Sequence, residues 1–141
     1  MNEARCLKLI KSAIQTFNLD LSGLNILTEA ATGYYVLTPL IAALAGANTV
    51  FALTQNSRYG SVEDVFRQTM GLAKKWGVSN QVEILYSRNN PKISLADIVT
   101  NLGFVRPLNN VFLQQLKPSA VISLMFEIWE YRPQDLDLEA C

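Results

Sequence analysis

Leu24-Asn25-Ile26-Leu27-Thr28-Glu29-Ala30-Ala31-Thr32-Gly33 runs from a short apolar stretch into a loop of small residues. Residues 34–45 follow as an alanine- and leucine-rich helical pattern, with Pro39 expected in its first turns, where a missing amide hydrogen matters least. Gly46-Ala47-Asn48 closes that helix, and Thr49-Val50-Phe51-Ala52-Leu53-Thr54 is the pattern of a strand covered on both faces. Strand, small-residue turn, helix and strand form one βαβ unit, whose two strands run parallel through a right-handed crossover.

The same alternation continues outward. Upstream, residues 3–17 place Leu7, Ile10, Ile14 and Phe17 at helical spacing, so residues 1–20 read as a leading amphipathic helix and its exit turn. Downstream, Ser61 caps a helix with Glu63 and Asp64 in its first turn and Lys74-Lys75 in its last, charges that complement the helix dipole. Further strands are expected at residues 81–86, at Ala96-Asp97-Ile98-Val99-Thr100 and at residues 119–126, with a helix over 107–116 and another beginning at Asp135. The order predicts a single domain over residues 1–141: an α/β, doubly wound, Rossmann-like fold, with a mainly parallel sheet of about five strands and helices on both faces. A six-stranded sheet needs one more helix and strand than this sequence holds, so it reads as a complete five-stranded domain or as a piece of a longer protein.

Composition narrows the chemistry. The 141 residues carry twelve basic and twelve acidic side chains and no histidine, which excludes imidazole-based zinc sites, a Ser-His-Asp triad and a histidine general base. Zero net charge and a single basic doublet, Lys74-Lys75, offer nothing to hold a nucleic acid. Cys6 and Cys141 lie at opposite ends, without the spacing of a metal knuckle or redox pair, so no metal site and a reduced, cytoplasmic setting are expected. The least polar run, residues 34–53, is broken by Pro39, Gly46 and Asn48, and does not read as a membrane span.

In doubly wound sheets the ligand lies beyond the carboxyl ends of the strands, where the strand order reverses. After the first strand, Thr28 and Ala30 stand where G-x-G-x-x-G has its first two glycines, and Gly33 is the third. Small residues there, with Ala31 and Tyr34 beside them, let backbone amides approach a pyrophosphate; a tight turn kept for packing has the same composition. After the second strand come Thr54, Asn56, Ser57 and Arg58, with no carboxylate before Glu63. A carboxylate at that place binds the ribose of NAD, whereas an arginine suits a 2′-phosphate, so NADP is preferred to NAD; a solvated loop charge is the plain alternative. After the fourth strand, Asn101 and Gly103 put an amide and a flexible backbone where a nicotinamide ribose would lie. Arg106 suits an anion or a helix cap. The cluster Glu127-Ile128-Trp129-Glu130-Tyr131-Arg132 reads more readily as a salt-bridged exit from the sheet than as an acid/base pair.

Ala96-Asp97-Ile98-Val99-Thr100, its polar-glycine turn, and Leu116-Lys117-Pro118-Ser119-Ala120-Val121-Ile122 resemble the NAD(P)-binding Rossmann domains of adenosylhomocysteinase and 2-hydroxyacid dehydrogenase type enzymes, over about residues 24–126. The resemblance implies an oxidoreductase-like, dinucleotide-binding domain whose substrate domain lies elsewhere. It departs at the glycine loop and at the proton-transfer histidine, leaving no complete catalytic set. Residues 73–84 are also similar to the helix-to-third-strand passage of S-adenosylmethionine-dependent methyltransferases, which implies S-adenosylmethionine as the alternative ligand. A non-catalytic nucleotide-sensing or oligomerisation module is the third reading, and an exposed edge strand would suit a homodimer.

Overall fold

The computed structural model describes residues 1–126 and 128–141. Five strands form one wholly parallel sheet: β1 Asn25–Glu29, β2 Thr49–Leu53, β3 Val82–Leu85, β4 Ile98–Thr100 and β5 Val121–Ser123, in the order β3-β2-β1-β4-β5. β1 is central because it is bounded by β2 on one side and β4 on the other, and the order reverses between β1 and β4. This is the expected Rossmann-like arrangement.

Alternation of side chains along the strands divides the core into two. Ile26, Val50, Ala52, Val82 and Ile84 face α2 (Thr38–Leu44) and α3 (Val62–Lys75). Leu27, Phe51, Leu53, Leu85 and Val99 face the other way, onto Ile93, Val105, Leu108 and Phe112. α3 has the expected ends: the Asp64 N–H donates to Ser61 Oγ at 3.2 Å, and Lys74 and Lys75 occupy the last turn. The leading helix α1 spans Glu3–Thr16 and packs through Cys6 and Ile10, but Phe17 at the end of its apolar stripe is 79% exposed.

Four elements differ from expectation. The helix over 34–45 is a 3-10 turn, Gly33–Leu37, followed by α2, with Pro39 in its first turn; proline's missing donor divides the two. β5 is three residues long instead of eight because β4 offers only three partners, and Val121 is 60% exposed on the sheet's edge. The helix over 107–116 shrinks to α4, Asn110–Leu113, capped by the Asn109 side chain, which accepts from the Phe112 N–H at 3.0 Å. Leu108 is instead drawn into a bridge with Leu136: its N–H donates to the Asp135 carbonyl at 2.9 Å and its carbonyl accepts from the Asp137 N–H at 3.0 Å. That bridge also replaces the helix expected from Asp135, since Leu136 is buried with its backbone extended beside Leu108.

Two of the residues carrying the dehydrogenase-like resemblance, Asp97 and Lys117, meet at the sheet's amino edge. Asp97, just before β4, accepts from the Asn25 N–H at 2.8 Å and pairs with Lys117. The Asn25 N–H, then Lys117, holds the Asp97 carboxyl below its usual range. Asp97 and Lys117 thus fasten β1, β4 and the approach to β5, at the edge opposite the candidate site. No helix among the described residues is long and apolar enough to cross a membrane, and no group of three metal-ligating side chains occurs among them.

Candidate functional site

A wholly parallel sheet brings every strand's carboxyl end to one edge. The loops after β1, β2 and β4 therefore carry Thr28, Ala30, Ala31, Gly33, Tyr34, Thr54, Asn56, Ser57, Arg58, Asn101 and Gly103 to the same edge. The Ala30 N–H donates to the Leu53 carbonyl at 2.9 Å and the Thr54 N–H to the Leu85 carbonyl at 2.9 Å, continuing the ladder just beyond the strand ends. Gly60 brings the second loop against the first: a Cβ there would stand 2.7 Å from Thr32 Cγ2, so a larger residue would have to displace that methyl group. Gly33, at φ +70°, turns the chain into the 3-10 segment, and no side chain caps that segment at Thr32.

Several expected side chains are occupied by the fold itself. Thr28 accepts from the Thr100 hydroxyl at 2.8 Å. Both line an apolar cavity of about 250 Å³ on the α2 side, with Leu21, Ile41, Ser123 and Met125. Asn56 Oδ1 accepts from the Val62 N–H at 2.9 Å, and Ser57 Oγ from the Tyr59 N–H at 3.2 Å. Arg58 is exposed and lies over the neighbouring Tyr59 ring, its guanidinium carbon 4.7 Å from the centroid. Asn101 is 2% exposed, and its Oδ1 accepts from the Met125 N–H at 2.7 Å, tying the exit of β5 to the exit of β4, while its buried Nδ2 has no hydrogen-bond partner among the described residues. Tyr34 remains exposed. Arg106 neither caps a helix nor stands free: Nη1 lies 3.0 Å from Asp135 Oδ2.

In the Glu127 to Arg132 cluster, Glu127 lies outside the described residues. Residues 128–130 form one 3-10 turn, Trp129 is exposed, and the Tyr131 hydroxyl donates to the Leu136 carbonyl at 3.1 Å.

The residue missing from the sequence-based expectation is Glu29. It ends β1, at the strand-order reversal, with 5% of its surface exposed, and its register partner is Leu53 of β2. Its Oε2 accepts from the Phe104 N–H at 2.8 Å, and a Cβ on Gly103 would stand 3.2 Å from the same oxygen. The loop after β4 thus rests directly on the carboxylate. Among the described residues no ion pair reaches Glu29, since the nearby Arg106 is paired with Asp135. Burial pushes the Glu29 carboxyl up, opposed by the Phe104 N–H and by the charge of Arg106. The available signal was a lone carboxylate inside a run of small and apolar residues, which G-x-G-x-x-G treats as an unrestricted position.

A carboxyl whose folded pKa lies above its unfolded value favours the protonated form in the folded chain. The stability it contributes is complete below the unfolded pKa and is lost as pH rises through the folded one. Glu29→Gln keeps an acceptor for Phe104 and removes the titration. The variant is expected to match the parent at pH values below the unfolded carboxyl pKa and to exceed it in Tm once pH has risen through the folded one. A parent at least as stable as the variant at the higher pH contradicts this account of Glu29.

The chain's known likenesses are structural. No protein family matches the sequence, and no curated protein matches it. Shikimate 5-dehydrogenase from Listeria monocytogenes, solved with shikimate and NAD, aligns over 82% of this chain and 42% of its own, at 12% identity and a TM-score of 0.54. A SAM-dependent methyltransferase from Aquifex aeolicus aligns over 100% of this chain and 81% of its own, at 18% identity and a TM-score of 0.51. The Trypanosoma brucei PRMT1 enzyme-prozyme complex with AdoHcy aligns over 79% of this chain and 36% of its own, at 16% identity and a TM-score of 0.49. This chain spans less than half the length of the dehydrogenase and of the PRMT1 chain. At these identities the likeness establishes the fold alone, and that fold is shared by a dehydrogenase and a methyltransferase.

Proposed function

We propose that the chain is a cofactor-binding domain that takes an adenosine-bearing ligand at the carboxyl edge, with the adenosine between the loops after β1 and β2. The observation that carries this reading is the reversal of strand order between β1 and β4, with the small-residue turn 30–33 and the loop 54–60 packed together beside it. Exposed Tyr34, Arg58 and Tyr59 border that edge and offer aromatic faces and a cation. Exposed Arg58 suits the 2′-phosphate of NADP, the dinucleotide expected from the sequence, and S-adenosylmethionine is the alternative ligand. With no histidine in the chain, any catalysis is supplied by other groups or by another domain.

Thermal unfolding in the presence of adenosine, S-adenosylmethionine, NADPH and NADH tests the reading. A ligand at a hundredfold over its Kd stabilises by about 2.7 kcal/mol, which for a chain of this length raises Tm by roughly 5 to 10 °C. At least one probe is expected to do so. Unchanged Tm with all four, at millimolar concentration, contradicts the assignment.

A further inference from the structure

We propose that the cavity beside Arg88 is a binding site for a small organic carboxylate, whose charge Arg88 meets and whose apolar body lies along Val111. This site is separate from the proposed adenosine site and stands or falls without it.

The cavity measures about 450 Å³ and is lined by Arg88, Asn89, Asn109, Val111, Phe112 and Gln115. It lies where the loop after β3 meets the approach to α4, on the face of the sheet that carries Phe112 and the second core cluster. Arg88 is half-buried and held from two sides: its guanidinium carbon stands 4.7 Å from the centroid of the buried Phe112 ring, and Nη2 donates to the Pro107 carbonyl. Those contacts fix the fork and cancel none of its charge. The other two half-buried cations, Arg106 and Lys117, are each paired with an aspartate, whereas Arg88 has no carboxylate partner among the described residues. Burial pushes the guanidinium pKa down, and no neighbouring charge opposes that.

The donors are left over as well. A guanidinium carries five N–H groups, and here Nη2 alone has an acceptor in the chain. Nε is buried without one, as is the hydroxyl oxygen of Thr54, with which Arg88 lines a second, smaller space of about 30 Å³. Half-buried cations are normally paired, so the acceptor that completes Arg88 comes from outside the chain.

The lining selects the kind of acceptor. Arg88 is the one charged group in it, so the cavity offers a single positive charge and matches a monoanion. A doubly ionised phosphate would keep one negative charge uncompensated in a partly desolvated place. Asn109 has given its Oδ1 to the Phe112 N–H and has only amide N–H groups to offer, which suits a group that accepts and does not donate. A carboxylate is such a group, and its two oxygens match the arginine fork. Val111, 73% exposed, supplies an apolar wall for the rest of the ligand.

Two-dimensional amide NMR of the ¹⁵N-labelled chain, titrated with benzoate, benzamide and inorganic phosphate, tests the site. Benzoate is expected to give saturable shifts at millimolar concentration centred on residues 88–89 and 109–115. Benzamide, which has the same ring without the charge, is expected to bind at least about tenfold more weakly, and benzoate is expected to lose at least about tenfold in Arg88→Met, which keeps the stem and removes the fork. Tighter binding of phosphate than of benzoate at these residues overturns the carboxylate assignment. Equal affinity for benzoate and benzamide, or unchanged benzoate affinity in a cooperatively unfolding Arg88→Met, overturns the role of Arg88. Should Arg88→Met not fold, the benzoate to benzamide ratio in the parent decides alone. Absence of saturable benzoate shifts at these residues overturns the proposal, whatever adenosine does.

Discussion

Leu27→Ala is expected to cost about 3 to 4 kcal/mol, the largest loss of stability from a single truncation in this chain. Leu27 is fully buried at the middle of β1, paired in register with Phe51 of β2 and Val99 of β4. Its side chain belongs to the cluster formed by Phe51, Leu53, Leu85, Val99 and Val105. Removing its outer carbons forfeits their transfer free energy and leaves a cavity that three hydrogen-bonded strands cannot collapse to fill. For a domain whose total stability is about 5 to 15 kcal/mol, Tm should fall by about 10 °C or more. Val121→Ala is the internal comparison: Val121 sits on edge strand β5 at 60% exposure and should change stability by no more than about 0.5 kcal/mol. Urea melts of the two variants check the contrast. A Leu27→Ala cost below about 1 kcal/mol would mean that β1 is not the centre of the core.

Asn101→Ala is expected to cost about 2 kcal/mol whether or not a ligand is present. The side chain is buried, and its Oδ1 is the acceptor for the Met125 N–H at 2.7 Å. Alanine leaves that donor without the acceptor and opens a small void beside it, two losses of about 1 kcal/mol or more each. The sequence reading assigned Asn101 to a ribose, a role that leaves stability untouched and acts on affinity. Chemical denaturation with hydrogen exchange at Met125 distinguishes the two: the structural role predicts faster exchange at that amide and a lower midpoint at unchanged slope. A variant that keeps its stability within about 0.5 kcal/mol and loses adenosine binding contradicts the structural role and supports the ribose assignment.

The parts of the fold legible in the sequence are those written by local periodicity. β2 is apolar throughout, β1 places Ile26 and Leu27 on opposite buried faces, and α3 announces both ends through Ser61, its acidic first turn and Lys74-Lys75, so all three lie where the pattern puts them within a residue or two. The second half of the chain is less legible because long-range pairing sets its elements. Nothing local to residues 107–116 says that Leu108 will be extended against Leu136, and β5 takes its length from β4, not from its own apolar run. The site divides in the same way. Position followed from strand order, so the expected loops do share one edge. Side-chain partners were not legible: Asn101, Asn56 and Thr28 each hold a backbone or hydroxyl group set by long-range or loop geometry that no local pattern announces. Glu29 escaped notice for a related reason: its importance arises from burial beneath Gly103 and Phe104, more than 70 residues away in sequence, as the separation of 75 between Phe104 and Glu29 shows.

The most direct test of the adenosine-site reading is a titration of the uniformly ¹⁵N-labelled chain with adenosine, followed by two-dimensional amide NMR. The account expects saturable shifts concentrated in residues 29–35, 54–60 and 101–106, with the amino-edge residues Asn25 and Asp97 unmoved. Saturable shifts centred instead on the exposed edge of β5, or no shifts at millimolar adenosine, would contradict it.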